Sequence, residues 1–388
     1  MTDPSGRAGA VGLRQVVMQW GRIGCTGFGG PPAHIALLRR CCVDQHGWMS
    51  AQDFEDGVAA CNLLPGPAST QLAIFCAWHV AGPAAAVVGG LAFIVPGLVL
   101  ILGLAALFLA ASPPTWVLAL GAGAGSAVAA VAVYSGVSLV APSWKRARTH
   151  WRWIAYAGLG GVAAATVGPW LILVLVGCGG IEFGTRRVRR GDRLEAHAWP
   201  LLIASTASAT GGTLALVWVA LKVGALSYGG GFVIIPLMQA DAVGHYHWMT
   251  GAQFLNAVAL GQITPGPVVQ TVAVVGYAAA GIGGGLLASA VAFTPSFLLV
   301  LLGGPRFDQI RGNARARAFL DGAGPAAIGA ILGSAITLTR ELTHPWQYAV
   351  LAGALIALLP LRRGVVLTLL AGAAIGVTIA LAAGTVSP

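Results

Sequence analysis

Charge is what this chain has least of. Only 9% of its 388 residues are Asp, Glu, Lys or Arg, against about 25% in an average soluble domain. Carboxylates are the scarcest, with 12 Asp and Glu facing 22 Lys and Arg. That shortage, beside 57% hydrophobic residues, excludes a water-facing globule and a disordered tail alike. Cysteine is poor in pattern. The six (25, 41, 42, 61, 76, 178) include no C-x-x-C pair and no His/Cys spacing typical of zinc, which excludes a disulfide-stapled secreted domain and a metal site. In apolar segments such cysteines behave as small hydrophobes, and Cys41-Cys42 is the one pair worth testing for thiol chemistry. A cleavable leader is also missing. Arg14 interrupts the first apolar run and no small-residue cleavage site follows it, so that segment is expected to stay in the mature protein.

What is present are apolar runs near the ~20 residues that cross a bilayer. They describe an all-α polytopic membrane protein. The net charge of +10 sits in short basic runs between these stretches, which is the positive-inside pattern rather than a nucleic-acid-binding face. No nucleic-acid partner is expected.

The chain also repeats itself. A shift of 200 residues lays Phe28-Gly29-Gly30 on Tyr228-Gly229-Gly230, Trp48-Met49 on Trp248-Met249, and Phe54 on Phe254. It also lays Pro65-Gly66-Pro67 on Pro265-Gly266-Pro267. Over positions 24–73, fifteen of fifty residues are identical to their partners. Gly, Pro and Trp matches of this kind mark a duplicated domain: residues 1–183 form the first repeat, 184–210 a basic loop and linker, and 211–388 the second repeat.

Each repeat reads as the same series. In the first, segments fall at about 11–28, 32–43, 51–81, 83–111, 115–140, 152–167 and 169–183. In the second they fall at about 211–230, 232–243, 251–281, 282–303, 318–340, 345–360 and 364–384. A marginal stretch at about 197–210 joins them. Loop charge separates the halves. Lys145, Arg146, Arg148 and Arg152, and the run from Arg186 to Arg193, occupy loops whose second-repeat counterparts carry little charge. Arg306, Arg311, Arg315, Arg317, Arg362 and Arg363 occupy loops whose first-repeat counterparts, Ser112-Pro113-Pro114 and Gly168-Pro169, carry none. If basic loops stay in the cytoplasm, equivalent loops face opposite sides and the repeats are inverted, a plan in which the transport site lies at the midplane between them. Arg7 and Arg14 favour a cytoplasmic N-terminus.

Broken helices carry the candidate site. Lipid cannot satisfy the backbone freed at a Gly-Gly-Pro or Pro-Gly-Pro break, so protein or a watery hollow must receive it. New helices are expected at 32–43, 67–81, 232–243 and 267–281, with Pro32, Pro67 and Pro267 as first residues. Each would present free N–H groups and about half a positive charge, an anion-binding arrangement. The candidate binding residues are Gly29, Gly30, Pro31, His34, Asn62, Pro65, Gly66, Pro67, Ser69, Thr70 and Gln71. From the second repeat come Tyr228, Gly229, Gly230, Gln262, Thr264, Pro265, Gly266, Pro267, Gln270 and Thr271. Kinks satisfied by neighbouring helices are the structural alternative. His34, Asp53 and Glu55 are candidates for carrying a coupling proton, although Asp53, Glu55 and Asp56 also suit a helix N-terminus. Arg39 and Arg40 are a candidate cytoplasmic funnel for anions or a positive-inside anchor. Trp48 and Trp248 read as interfacial anchors. Sequence context assigns no role to Asp241, Glu182 or Lys222.

At these residues the chain resembles the chromate ion transporter family in its long, two-repeat form. Phe28-Gly29-Gly30-Pro31-Pro32-Ala33-His34, Leu64-Pro65-Gly66-Pro67 and Gly261-Gln262-Ile263-Thr264-Pro265-Gly266-Pro267 resemble its signatures. So do Phe93-Ile94-Val95-Pro96-Gly97 and Phe293-Thr294-Pro295-Ser296. The resemblance implies a carrier of the cell inner membrane that exports chromate, confers resistance to it, and draws on the proton-motive force. Asn62 stands where Gln is expected, and Gly231 replaces the Pro of the first repeat. A sulfate or general divalent oxyanion carrier is the alternative, since sulfate shares the shape and charge of chromate. A chromate reductase using Cys41 and Cys42 is disfavoured, because no flavin, haem or iron–sulfur ligation pattern is present and no cofactor is expected. Two-fold association into a homodimer is the expected assembly.

Overall fold

The computed structural model describes residues 11–166, 171–185, 212–227, 232–303 and 314–383. Arg7, the basic run 186–193, the stretch 197–210 and Tyr228-Gly229-Gly230 lie outside the described residues. Among those described there is no strand. The first repeat comprises α1 (Leu13–Thr26), α2 (Pro31–Arg39), α3 (Ala51–Cys61), α4 (Ala68–Phe108), α5 (Thr115–Arg146), α6 (His150–Thr166) and α7 (Leu171–Thr185). The second comprises α8 (Thr213–Leu226), α9 (Ile234–Gln239), α10 (Gly251–Ile263), α11 (Thr271–Gly303), α12 (Ala314–Arg340), α13 (Pro345–Leu358) and α14 (Val365–Ala383). Both α2 and α9 run on into one wide turn of π type, Arg40–Gln45 and Ala240–His245.

Among the described residues, five helices are long and apolar enough to cross a membrane, and their outer faces carry bare aliphatic side chains such as Val99, Leu302 and Leu381. The chain is a multi-pass membrane protein. α1 and α8 each have 14 residues, as does α13, about 21 Å at 1.5 Å per residue, less than a core of about 30 Å. α1 and α8 are each followed by a short helix, α2 or α9, that packs back against them. In the first repeat that hairpin is closed by stacked rings: Trp48 lies 6.3 Å from Trp20 and 4.3 Å from His46. Trp248 stacks on Tyr246 at 4.6 Å. Trp48 thus packs on α1 from the polar turn, whereas Trp248 stacks within its own turn.

One segment boundary differs from expectation. The separation expected near residue 82 is present: Ala81 and Gly82 leave helical geometry and the two limbs of α4 fold back on each other, Gly89 against Ala77, and α11 turns likewise at Ala280-Gly281, Gly284 against Gly276. α5 continues to Arg146 rather than 140, because Lys145 and Arg146 in its last turn complement the negative helix end.

The repeats interlock. Phe297 of α11 lies against Gly90 of α4, while Leu102 of α4 lies against Gly285 of α11. Numbers rise along one helix as they fall along the other, so these equivalent helices run antiparallel, the relation that inverted repeats require. α12 packs on α6 and α7, and α5 packs on α13 and α14, so each repeat's fifth helix is clasped by the other's last two. Small residues permit this approach. A Cβ at Gly329 would stand 1.8 Å from Ala157 O, and one at Gly376 would stand 2.2 Å from Ala119 O.

Candidate functional site

The site is best built outward from one carbonyl. α1 ends at Thr26, and α2 restarts with Pro31 and Pro32 in its first two positions. The first helical residue is thus Pro31, one earlier than expected. His34, fully buried, places Nε2 2.8 Å from Gly27 O. A carbonyl only accepts, so Nε2 carries the hydrogen, and Nδ1 is left buried without a partner. The Gly266 N–H donates to the same Gly27 O at 3.1 Å. One oxygen therefore ties the Gly-Gly-Pro break of the first repeat to the Pro-Gly-Pro break of the second. The His34 ring meets Phe93 of α4 edge-on at 5.1 Å.

The Pro-Gly-Pro segments correct a second detail. Pro67 and Pro267 are caps rather than first helical residues. Pro67 O accepts from the Thr70 and Gln71 N–H groups, both at 3.0 Å. Ala68 and Ser69 therefore hold the free first-turn donors. After Pro267 a tight turn, Val268–Gln270, precedes α11, and the second repeat reaches its hinge one residue sooner than the first. Gln270 is thereby the counterpart of Gln71. The Gln71 Nε2 donates to Pro65 O at 2.7 Å, and the Gln270 Nε2 donates across the repeats to Ile94 O at 2.7 Å. Thr264 and Thr271 bond their own backbone, to Leu260 O and Val268 O.

The packing is crosswise. Ser296 Oγ and Gly224 O of the second repeat stand 3.2 and 3.4 Å from where a Cβ on Gly66 would sit, while Gly97 of the first repeat abuts Pro265 O. Around these contacts lie buried polar atoms with no partner among the described residues: His34 Nδ1, Thr70 Oγ1, Gln71 Oε1, Ser227 Oγ, Gln262 Nε2, Gln270 Oε1, Ser289 Oγ and Ser296 Oγ. Native proteins leave few such groups unsatisfied, because each costs about 1–3 kcal/mol. His34, Thr70, Gln71, Ser227, Gln262 and Gln270 lie within a few residues of the breaks, and such groups can receive a polar guest.

The two Pro-Gly-Pro breaks are not equally accessible. Asn62 and Pro65 are exposed, whereas Gln262 and Pro265 are buried. The first break opens on a cavity of about 230 Å³, lined by Asn62, Gly66 and Ala68. Val233, just before α9, brings the second repeat's broken hairpin to the same wall, together with Arg146 at the end of α5 and Asp321 two turns into α12. At about 30 Å³ per water, the cavity would hold several waters or a hydrated ion.

Four expected residues are placed elsewhere. Asp53 serves its own helix start, where its N–H and carboxylate both engage the Ser50 hydroxyl. Glu55 pairs with Arg39 at 2.9 Å, with their side chains 60% and 43% exposed, and Arg40 is exposed. None lines the cavity. Neither do Cys41 and Cys42, which are buried. Residue patterns missed Ser227, Ser296 and Arg146. The first two are lone serines beside a break and a proline, and Arg146 had been read only as loop charge.

Comparison with known proteins gives a consistent result. The family described as Chromate transporter matches residues 14–181 and 214–377, one stretch per repeat. The chain is 34% identical over 361 residues to the "Chromate transport protein" of Cupriavidus metallidurans, covering 89% of this chain and 88% of that one. It is 29% identical over 344 residues to the "Probable chromate transport protein" of Synechococcus elongatus, covering 86% of each. It is 28% identical over 354 residues to the "Chromate transport protein" of Pseudomonas aeruginosa, covering 84% and 81%. No solved structure matches. With both repeats matched and relatives aligned over most of their length, the chain belongs to the chromate transporter family.

Proposed function

We propose that this chain is a secondary active carrier that exports chromate from the cytoplasm. The oxyanion is held at the paired breaks, where Ala68 and Ser69 offer backbone N–H groups and Thr70, Ser227 and Ser296 offer hydroxyls. The observation that carries this reading is the set of unpartnered buried polar atoms gathered at breaks which Gly27 O ties together. Neutral donors at helix starts suit a dianion. They stabilise it without a fixed counter-charge that would prevent its release. Export follows from the membrane potential. With the cytoplasm negative, moving each negative charge outward is favoured by about 2.3 kcal/mol per 100 mV. Under this reading the N-terminus is cytoplasmic and the open cavity faces the cytoplasm.

Anion uptake into vesicles with the cytoplasmic face outward tests it. Chromate should enter saturably and faster when the interior is made positive, and sulfate added outside should reveal by competition whether the site separates the two. Chromate entry no faster than in protein-free vesicles would sink the proposal.

A further inference from the structure

The second repeat buries an ion pair that the site above does not use. Lys222 of α8 places Nζ 2.5 Å from Asp241 Oδ2, with side chains 7% and 5% exposed, and the Trp218 ring centroid lies 5.5 Å from the same Nζ. Asp241 lies in the π turn after α9. The pair therefore spans the two limbs of the broken hairpin, joining α8 to the piece that packs back against it.

The first repeat supplies an internal control. At the equivalent positions it has Arg22, which is exposed, and Cys41, which is buried. That hairpin closes without a buried charge, on the Trp20–Trp48 stack. Closure of the fold thus does not require the pair. Nor does stability account for it, because buried ion pairs replaced by apolar groups are often neutral or stabilising. Ionisable groups kept at membrane depth are the material of proton relays.

We propose that Asp241 is the proton-exchange site of the transport cycle, with Lys222 as its counter-charge, an inference that rests on the anion-transport reading above. A hydronium ion gives its proton to the Asp241 carboxylate, leaving a carboxylic acid and a water. Lys222 keeps its three hydrogens and loses its partner. The Trp218 face offers the ammonium an alternative position, and the uncompensated positive charge favours the arrival of the anion. With the bond gone, the α9 limb is released from α8. Proton and anion are thereby loaded together and leave together, carrying one net negative charge outward, so the electrical part of the proton-motive force drives the cycle against its pH part. The other charged and titratable groups about Asp241 are His245 and Tyr246 after the π turn. Glu341, beyond α12, accepts from Gln239 at 3.3 Å.

The test uses the full chain in liposomes carrying a pH-sensitive dye, with chromate flux driven by an imposed potential. In the wild type, protons should move in the same direction as chromate, and the flux should rise as pH falls. Asp241→Asn should lower the flux, and what remains should show neither proton movement nor pH dependence. Asp241→Glu should keep both. The double variant Lys222→Arg with Asp241→Cys reproduces the pair of the first repeat, which this fold accommodates, and it too should lose proton movement. Proton movement and a pH profile unchanged in either uncharged variant would overturn the proposal. Absence of chromate flux in the wild type would instead overturn the transport reading on which it rests.

Discussion

At Gly66 the backbone holds φ at 121°, and a methyl group there would meet Gln71 Nε2 at 2.6 Å. Gly66→Ala therefore strains the break, by about 1–3 kcal/mol, and displaces the amide that bonds Pro65 O. A lower midpoint of thermal unfolding in detergent and weaker chromate binding should appear together. Thr70 should separate these two effects. Its Oγ1 is buried and unpartnered, so Thr70→Val leaves the empty protein as stable as before or slightly more so. Binding should nevertheless lose a hydrogen bond to a charged guest, about 1.5–3 kcal/mol, which titration calorimetry would read as roughly a tenfold to hundredfold rise in Kd. Unchanged affinity would remove Thr70 from the site. Thr70 and Gln71 were legible in the sequence because they follow a Pro-Gly-Pro break directly. Ser296 was not, because it reaches Gly66 from another repeat through tertiary packing alone.

The hinges are the next level up. Gly82 and Gly281 hold φ at 80° and 64°, and nothing lies within 4 Å of a Cβ built on either. Substitution by Ala would therefore impose backbone strain without a clash. Each of Gly82→Ala and Gly281→Ala should cost about 1–3 kcal/mol, and the distant pair should add within about 0.5 kcal/mol, measured by thermal unfolding. A double variant no less stable than the wild type would show that the arms do not depend on these turns. Helix positions and the breaks were legible because hydropathy and proline write them into the chain. The turns at Gly82 and Gly281 were legible as the boundaries between segments 51–81 and 83–111 and between 251–281 and 282–303; their left-handed φ was not. Pro67 and Pro267 became caps because a fixed φ suits a cap almost as well as a first turn, whereas Pro32 became the second helical residue because Pro31 takes the first.

For the whole molecule, the decisive property is that neither half encloses its own fifth helix. α5 is held by α13 and α14, and α12 by α6 and α7. A cut between residues 186 and 211 should leave two pieces that are degraded when made singly and restore chromate export when made together. Export by one piece alone would contradict the interlocked packing. Loop charge showed that the halves are inverted; it could not show that they exchange helices, because hydropathy marks which segments cross and not which become neighbours. The Lys222–Asp241 contact was obscured for a related reason, since aligning the repeats sets those residues against an arginine and a cysteine.

The unequal exposure of Asn62 and Gln262 has one more implication. On the carrier reading proposed above, each half would record the shape its twin adopts when the molecule faces the opposite way. Trading those shapes would seal the vestibule beside Asn62 and uncover one beside Gln262. A thiol placed at 62 should then react with a membrane-impermeant reagent on one face of the bilayer only, and a thiol at 262 on the other face only, each shielded while its twin is bare. On that reading the diverged duplicate would serve as the return stroke.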